Sequence, residues 1–414
     1  MDQQVTPAGS ATRPPLSKWE FIALCASLMA VNALAIDVML PALQQIGASL
    51  GVEDENRRQL VISAYIGGMG IATLVFGPLS DRFGRRIPLI GGLAVYVIAA
   101  FAAALSRDFT LLLVLRFVQG FGAASTRVIV VSVIRDVFGG RAMAEVMSLV
   151  FMVFMAVPIV APTLGQGIML VSGWPWIFVM MAVLTLVVLG WTALRLPETL
   201  HEEYRRPFTL RSTIEGFRVV LTTRASICYT LALTAIFGAL FGFINSAQQI
   251  YQDVYGVSEW FPLLFAAVAG MMAVSSFLNS QLVGRFGMRR LSHGALIGFI
   301  AVNAVAFALS LAAPVPLWAF TGLYCIAMVQ FSWIGANFNS LAMEPLGHVA
   351  GTASSVQGFI QTVFAGLLGA LIGLAFDGTI VPLAAGYFVT SVVALVLVLL
   401  AEHGRLFRQV NPRV

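Results

Sequence analysis

The chain has 414 residues, of which 59% are hydrophobic and only 10% charged, and its mean hydropathy is +0.90. Because soluble domains carry about a quarter charged residues, this composition excludes a soluble globular protein. The apolar runs are as long as membrane-spanning helices and lack the short alternating pattern of barrel strands. The sequence therefore predicts an all-α membrane protein with many spans.

Twelve predicted spans follow in chain order. Six lie before a polar segment, at residues 19–43, 58–79, 88–106, 110–134, 143–171 and 174–195. Six lie after it, at residues 225–250, 259–283, 291–312, 316–340, 351–376 and 381–402. The predicted parts are an N-terminal tail (1–18), an N-terminal six-helix bundle (19–195), a linker (196–224), a C-terminal six-helix bundle (225–402) and a basic tail (403–414).

The positions of Lys and Arg orient the chain and account for its net charge of +5. With the N-terminus inside, nineteen of the 24 Lys and Arg residues lie on the cytoplasmic side, and only Arg57, Arg58 and Arg107 lie outside. Cytoplasmic loops are enriched in these residues, so both tails and the linker are predicted to be cytoplasmic. The basic charge is then a topology signal, and we expect no nucleic-acid partner.

A short polar stretch separates the second and third spans and recurs in the second half of the chain. The first copy is Gly77-Pro78-Leu79-Ser80-Asp81-Arg82-Phe83-Gly84-Arg85-Arg86. The second is Leu282-Val283-Gly284-Arg285-Phe286-Gly287-Met288-Arg289-Arg290, in which the shared residues keep a constant offset of 203 positions. A repeat at half the chain length indicates two related halves.

The first copy resembles the signature that the major facilitator superfamily carries between helices two and three. Two further stretches resemble the superfamily's drug:proton antiporter branch with twelve spans, and specifically its Bcr/CflA group. They are Arg116-Phe117-Val118-Gln119-Gly120, with Arg135-Asp136 ending the same span, and Ala161-Pro162-Thr163-Leu164-Gly165-Gln166 in the fifth span. Asp37-Val38-Met39-Leu40-Pro41 at the end of the first span is also similar to this group.

This resemblance implies the major facilitator fold, with two six-helix bundles around a central cavity lined by helices one, four, seven and ten. It implies a secondary active transporter, not an enzyme, which exports drug-like small molecules by alternating access in exchange for protons. A place in the bacterial cell inner membrane and a monomeric state also follow from it. The expected partners are the small-molecule substrate, protons and the lipid bilayer.

Three charged residues, Asp37, Arg116 and Arg127, lie clearly within predicted spans. Charges inside a bilayer are costly, so each needs a partner, water or a functional role. Arg116 lies about six residues into the inward-running fourth span, roughly 9 Å deep, which can bring it to the depth of Asp37. Our hypothesis is that Asp37 carries the proton and Arg116 is its electrostatic partner. A fixed ion pair and a surface-exposed Asp37 are the alternatives.

The fourth span is predicted to carry a polar stripe. Arg116 and Arg127 are eleven residues apart, which is about three helical turns, so they share a face near Gln119. A membrane helix with such a stripe is expected to line a water-filled cavity and contact the substrate. Arg127 could instead extend towards the cytoplasm or pair with Asp136.

In the second half the predicted cavity wall is uncharged. Its candidate substrate contacts are Asn245, Gln248, Gln330, Trp333 and Asn337. An aromatic and amide-lined wall suits an amphipathic or neutral substrate. The alternative is that these amides join helices to one another.

The loop charges are predicted to form a cytoplasmic gate rather than a binding site. The gate candidates are Gly77, Asp81, Arg82, Gly84, Arg85, Arg86, Asp136 and Arg285. Ion pairs that break and re-form there would bias a two-state rocking equilibrium, although these residues could also serve only as topology determinants. Pro158, Pro162 and Gly165 are expected to bend or loosen the fifth span.

No cofactor or catalytic group is indicated. His201, His293, His348 and His403 lie in predicted loops or at helix ends, so no metal site is expected, and the sequence has no phosphate-binding loop. Energy must then come from an ion gradient or from the gradient of the substrate. Two readings besides drug export stay open: a transporter specific for one metabolite, by symport or facilitated diffusion, and a membrane-embedded sensor that does not transport.

Overall fold

The computed structural model describes residues 16–52, 54–138, 140–204 and 210–407. Within these ranges every regular element is a helix, as the composition predicts. The chain divides into two compact units, Met1–Thr213 (unit 1) and Ile214–Val414 (unit 2). The division falls inside the predicted linker 196–224. Most of the predicted tails, 1–18 and 403–414, lies outside the described residues.

Unit 1 is built from six long helices in its described part. They are α1 (Lys18–Asp37), α2 (Leu60–Phe83), α3 (Arg86–Ala104), α4 (Phe109–Val137), α5 (Gly140–Val171) and α6 (Pro175–Arg195). Five of them match the predicted spans to within a few residues. The predicted span 19–43 lies within the apolar segment Lys18–Ser49, but it is not one continuous α-helix. Helix α1 stops at Asp37, and the chain continues as a 3-10 turn and a short helix, Leu43–Ser49. Pro41 lies in that turn, and its lack of an N–H disfavours a continuous α-helix.

Unit 2 contains a second set of long helices. They are α7 (Arg224–Gln249), α8 (Phe261–Phe286), α9 (Met288–Ala312), α10 (Leu317–Met343), α11 (Ala350–Leu374) and α12 (Val381–Ala401). A further helix, Leu210–Thr222, lies within the predicted linker. Its buried Val220 packs against Leu346, Ala353 and Val356. Part of the linker is therefore an amphipathic helix, which the overall polarity of the segment did not indicate.

The helices have the length that a membrane requires. In the described part of the chain, eleven helical segments are long and apolar enough to cross a bilayer, and a shorter apolar segment, Ala156–Val171, lies within α5. Helix starts follow local sequence: Ser17 and Asp108 accept backbone N–H bonds at the starts of α1 and α4. These caps explain why the predicted starts are accurate.

The repeated Arg-Phe-Gly sequence ends equivalent helices in the two units. Gly84 follows α2 with φ of +88°, and Gly287 follows α8 with φ of +81°. Only glycine adopts this left-handed backbone without strain, so both copies need it to stop one helix and start the next. The structure thus explains the spacing of the repeat by a shared turn.

Glycines also allow α2 and α4 to cross in close contact. A Cβ atom at Gly120 would lie 2.0 Å from the Tyr65 carbonyl oxygen, and one at Gly68 would lie 2.0 Å from the Phe117 carbonyl oxygen. Close backbone approach through small residues is the usual way in which membrane helices pack. This crossing brings the middle of α4 against the start of α2.

We predict that Gly120→Ala destabilises the protein, because the added methyl group forces two backbones apart. Overpacking of this kind costs about 1–3 kcal/mol, which corresponds to several degrees in the unfolding midpoint. Thermal unfolding of the purified protein in detergent measures the change. The control is Gly91→Ala, whose new methyl group meets nothing within 4 Å. Equal midpoints for the two variants would contradict the prediction.

Candidate functional site

Arg116 lies at the centre of unit 1 and is completely buried. Its Nε donates to the Val61 carbonyl oxygen at 3.1 Å, and its Nη2 donates to the Ala35 carbonyl oxygen at 3.0 Å. Its Nη1 donates to Oε1 of Gln119 at 2.8 Å. The guanidinium therefore ties the end of α1 and the start of α2 to α4. A cation bonded to a carbonyl near the C-terminus of α1 also opposes the partial negative charge of that helix end.

Aromatic and amide groups complete the surroundings of Arg116. The guanidinium carbon lies 4.5 Å from the centre of the Tyr65 ring, within the range of a cation–π interaction. The Tyr65 hydroxyl donates to Oδ1 of Asn32 at 3.3 Å, and the Asn32 amide donates to Thr126 at 2.5 Å. The sequence analysis missed Asn32, although an amide inside an apolar span was a usable signal. These bonds join α1, α2 and α4 below the arginine.

Asp37 is the last residue of α1 and is only 4% exposed. Its burial excludes the alternative of a carboxylate on the outer surface. Asp37 and Arg116 form no ion pair in this structure, so the alternative of a fixed pair is not observed, and the described part of the chain supplies Asp37 with no other side-chain partner. Each of the three guanidinium nitrogens instead donates to a carbonyl or amide oxygen. Arg116 instead bonds the backbone two residues before Asp37.

The glycine of the fifth-span motif contacts the same end of α1. A Cβ atom at Gly165 would lie 2.2 Å from the Val38 carbonyl oxygen and 3.4 Å from Cδ of Pro41. Pro158 and Pro162 both lie inside α5, as the sequence predicts. Helix α5 can therefore approach the break in α1 only because residue 165 has no side chain. The motif and Asp37 meet at one place in unit 1.

The predicted polar stripe of α4 is only partly accessible. Arg116 and Gln119 are both fully buried, so neither presents a surface to solvent, contrary to the expectation of a cavity-lining stripe. Arg116 bonds the backbones of α1 and α2, whereas Gln119 accepts from Arg116 and its Nε2 is buried without a partner in the described structure. Arg127 is half-buried, and no described residue forms a hydrogen bond or ion pair with its side chain, Asp136 included. At one end of the stripe Arg116 holds helices together, whereas at the other end Arg127 has no bonded partner in the described structure.

The predicted amide wall of unit 2 is divided among several helices. The Trp333 indole donates to the Ser275 carbonyl oxygen at 2.9 Å, and Asn337 donates to Asn279 at 2.8 Å, so both bind α8. Gln330 packs against Gly298 of α9, where a Cβ atom would lie 2.7 Å from its amide nitrogen. Gln330, Trp333 and Asn337 lie in one continuous helix, α10, as their spacing predicts, but their contacts are divided between α9 and α8. In this structure Trp333 and Asn337 join helices, which is the alternative that the sequence left open.

The polar side chains of α7 differ in whether they have hydrogen-bond partners. Gln248 donates to Gln252 one turn later. Asn245 is 1% exposed, and both polar atoms of its side chain lack a partner in the described structure. Buried amides are almost always hydrogen-bonded in folded proteins, so an unpartnered one calls for a role. Asn245 is the strongest of the predicted contacts in unit 2.

An aromatic cluster that the sequence analysis did not single out fills unit 2. Tyr324 stacks on Phe243 at 5.4 Å, packs at 4.7 Å from Phe320 and lies edge-on to Tyr387 at 5.0 Å between ring centres. The hydroxyl groups of Tyr324 and Tyr387 are buried without a partner in the described part of the unit. Rings brought together from α7, α10 and α12 give this unit a polarizable core.

The predicted gate residues of unit 1 form a real cluster around Arg85. Its Nε contacts Asp136 at 2.8 Å and its Nη1 contacts Asp81 at 2.5 Å. Burial lowers the pKa of Arg85, but its bonds to Asp136 and Asp81 outweigh burial and raise this pKa above its ordinary value. Backbone N–H groups of Arg85 and Arg86 donate to Glu198, whose carboxylate thus caps α3. Glu198 was not among the gate candidates that the sequence analysis named.

Not every gate candidate joins this cluster. Arg86 donates through its side chain to the Ala193 carbonyl oxygen. Gly84 lies against Glu198, where a Cβ atom would meet the carboxylate at 2.3 Å. Gly77 accepts from Ser80 through its carbonyl oxygen, whereas Arg82 is exposed and lies over the Phe83 ring. Arg82 is therefore outside the cluster that its neighbours build.

Unit 2 repeats the arrangement with different residues. Arg289, the second-copy counterpart of Arg86, contacts Glu402 at 2.8 Å and Glu344 at 3.0 Å. The Tyr229 hydroxyl donates to the same Glu402 at 2.7 Å. Arg285 is exposed over the Phe286 ring and joins no ion pair in the described structure. In both units a glutamate that follows the sixth long helix bonds residues at the start of the third long helix.

Comparison with known proteins decides the family. Residues 22–373 match the model of the Major Facilitator Superfamily. The chain belongs to that superfamily. The resemblance seen in the sequence motifs is thereby confirmed, and the chain is a multi-pass membrane transporter and not an enzyme.

Relatives of this superfamily member cover nearly the whole chain. The uncharacterized MFS-type transporter YdgK of Bacillus subtilis is 31% identical over 376 residues, which are 89% of this chain and 92% of the relative. A bicyclomycin resistance protein homolog of Haemophilus influenzae is 27% identical and covers 89% and 92%. The multidrug resistance protein MdtL of Shigella dysenteriae is 28% identical and covers 93% and 96%.

A solved structure shares the fold. A bacterial homolog of the human lysosomal transporter Spinster matches with a TM-score of 0.69 at 16% identity, over 95% of this chain and 96% of that one. At that identity the likeness shows the fold alone. The fold predicted from the motifs, the major facilitator fold, is confirmed. No group of three or more His, Cys, Asp or Glu residues that could hold a metal ion occurs among the described residues.

We predict that Arg116→Ala destabilises this transporter far more than Arg127→Ala. The first change removes three charged hydrogen bonds and leaves a cavity, at a cost of about 2–5 kcal/mol. The second removes a side chain without a bonded partner in the described structure. Thermal unfolding in detergent compares the two variants with the parent. A larger loss for Arg127→Ala would show that the Arg116 bonds do not hold unit 1 together.

We predict that Gly165→Ala reduces transport at least about tenfold, because the methyl group would push α5 away from the end of α1. Gly167→Ala is the matched control, since it lies in the same helix and its new methyl group meets nothing within 4 Å. Substrate flux in proteoliposomes, normalised to reconstituted protein, measures both. Similar losses for the two variants would point to a general effect on α5 rather than to the Val38 contact.

Proposed function

We propose that this transporter exports drug-like small molecules across the bacterial inner membrane in exchange for protons, by alternating access. Membership of the Major Facilitator Superfamily supports transport. The names of two relatives, a bicyclomycin resistance protein homolog and a multidrug resistance protein, support export of drugs. The motif in the fifth span, which resembles that of drug:proton antiporters, supports exchange with protons.

The observation that carries the proposal is that Asp37 is buried and that no described residue bonds its side chain. An ionised carboxylate in such a place costs several kcal/mol, whereas a protonated one costs far less. An ionisable group inside a membrane is by default a functional group. Asp37 is therefore the group that we assign to proton coupling. It gains and loses a proton as water from either side of the membrane reaches it.

The role that we propose for Arg116 differs from the one that the sequence suggested. We assign it to positioning, because it binds the backbone of α1 at Ala35 rather than the carboxylate. It therefore holds the end of α1, where Asp37 lies, against α4.

The substrate that we propose is amphipathic and neutral or weakly charged. In unit 2 the buried polar atoms without partners belong to amides and hydroxyls, among them Asn245 and Tyr324. Such groups bind a substrate by hydrogen bonds and ring contacts rather than by a fixed ion pair. The adaptability of an aromatic surface favours several substrates over one metabolite. Gln119, Arg127 and Gln248 stay secondary candidates for contact.

The charged clusters of the two units serve as gates in this proposal. Each cluster fastens helix ends within its own unit, through Arg85 in unit 1 and Arg289 in unit 2. Changes in these pairs bias the two states of alternating access. The distribution of Lys and Arg in the sequence supports a cytoplasmic position for these clusters and for both termini. The transporter is proposed to act as a monomer.

The test is drug-driven proton movement in proteoliposomes that contain a pH-sensitive dye. Asp37→Asn keeps the size and polarity of the side chain but cannot carry a proton. We expect it to lose proton movement, at least tenfold, with chloramphenicol-like compounds, cationic dyes and peptide antibiotics alike. Asp377→Asn is the matched control, because Asp377 is an exposed carboxylate between α11 and α12.

Each outcome of this test has a meaning. Loss in Asp37→Asn only, across unrelated compounds, supports multidrug exchange through Asp37. Proton movement that persists in Asp37→Asn removes that residue from coupling. A response to a single metabolite, in either variant, replaces drug export by the specific-transporter reading. Substrate flux without any proton movement in the parent protein points to facilitated diffusion.

A further inference from the structure

An open groove lies on the surface of unit 2, between the start of α7 and the end of α12. Its volume is about 490 Å³, and it is lined by Arg224, Val396, Leu399, Leu400, His403 and Gly404. One end is basic and the rest is apolar. The residues of the groove take no part in the proposed transport site or in the gate clusters.

The basic end is held in place by the backbone of α12. Nε of Arg224 donates to the Leu400 carbonyl oxygen at 2.7 Å. No other hydrogen bond or ion pair of this side chain occurs in the described structure. The Nε bond fixes the guanidinium over the groove and leaves its two terminal nitrogens for an anion. Bidentate binding of phosphate oxygens is the recognition for which this geometry is suited.

A backbone hydrogen bond also holds the turn after α12 in place. His403 and Gly404 have φ of 53° and 76°, and the Gly404 N–H donates to the Leu399 carbonyl oxygen at 2.8 Å. The neighbouring Glu402 bonds Tyr229 and Arg289, so its charge is engaged away from the groove. The amide of Phe407 donates to Nδ1 of His293 at 3.1 Å. The groove therefore has a built wall, and its described lining contains no acidic residue.

An exposed apolar strip leads away from the basic end. Val389, Val393, Val396 and Leu400 are 57%, 45%, 51% and 50% exposed. Their spacing puts them on one face of α12, over about 16 Å. This distance is close to half the thickness of a bilayer core, which is the reach of one acyl chain. The charged end matches the head group of a lipid, and the apolar strip matches the length of its acyl chain.

We propose that the groove binds an anionic phospholipid of the surrounding bilayer. The phosphate binds Arg224 beside His403, and one acyl chain lies along the strip on α12. Charge complementarity selects an anionic lipid over a zwitterionic one, because a basic site next to a membrane attracts anionic head groups. A soluble phosphate would use the basic end only and leave the apolar strip without a function. The proposal does not depend on what the protein transports.

Native mass spectrometry of the full-length protein in detergent tests the site. The probes are phosphatidylglycerol and phosphatidylcholine with the same long acyl chains. We expect one phosphatidylglycerol to bind at least about fivefold more tightly than phosphatidylcholine, and Arg224→Ala to abolish the preference. The matched control, Arg290→Ala, removes another exposed arginine near the same end of unit 2 and keeps the preference.

Further arms separate a lipid site from other sources of binding. Short-chain phosphatidylglycerol and inorganic phosphate should bind much more weakly than the long-chain lipid, since neither fills the strip. Equal binding of the two long-chain lipids by the parent protein would overturn the proposal, as would a preference that survives Arg224→Ala. Tight binding of inorganic phosphate would replace it by a site for a soluble anion. If Arg224→Ala fails to fold, Arg224→Gln and the lipid preference of the parent protein decide the question.

Discussion

The structure of unit 1 depends on a buried cation that forms no ion pair with any described residue. Arg116 is stabilised by the carbonyl oxygens of Ala35 and Val61, by Gln119 and by the Tyr65 ring. Each of these acceptors is weaker than a carboxylate, but together they engage all three nitrogens of the guanidinium. The ends of two helices are thereby fixed against a third. Asp37, two residues after Ala35, has no bonded partner among the described residues, and this is the property on which proton coupling would depend.

Much of the fold follows from the sequence, because its determinants are local. The apolar runs set the long helices, and caps such as Ser17 and Asp108 set their starts. The break in α1 was missed, since Pro41 acts on a helix that stays apolar on both sides of it. The helix at Leu210–Thr222 was missed because its apolar face is narrow and needs unit 2 to cover it. The first error arises from one proline that composition does not register, and the second from a face that only tertiary packing buries.

The candidate site was predictable in its residues but not in its contacts. An arginine inside a predicted span indicates that the residue has a role. Its partners here include backbone carbonyl oxygens, which have no sequence signature. Periodicity put Trp333 and Asn337 on one face of α10, but only the structure shows that this face meets α8. Asn32 and Tyr324 escaped notice because single polar groups in apolar helices are common. Partner choice depends on the rotation of each helix, which the sequence does not specify.

The break after Asp37 offers a direct route from a proton to a helix movement. Asp37 is the last residue of α1, and the next carbonyl oxygen, that of Val38, is the atom against which Gly165 of α5 packs. A negative charge at a helix C-terminus is unfavourable, so loss of a proton from Asp37 favours any shift of that end towards water or a cation. Because Gly165 lies directly against the Val38 carbonyl oxygen, we expect such a shift to move α5 as well. On the proposed function, the tight glycine contact is what converts a local charge change into a change of packing between helices.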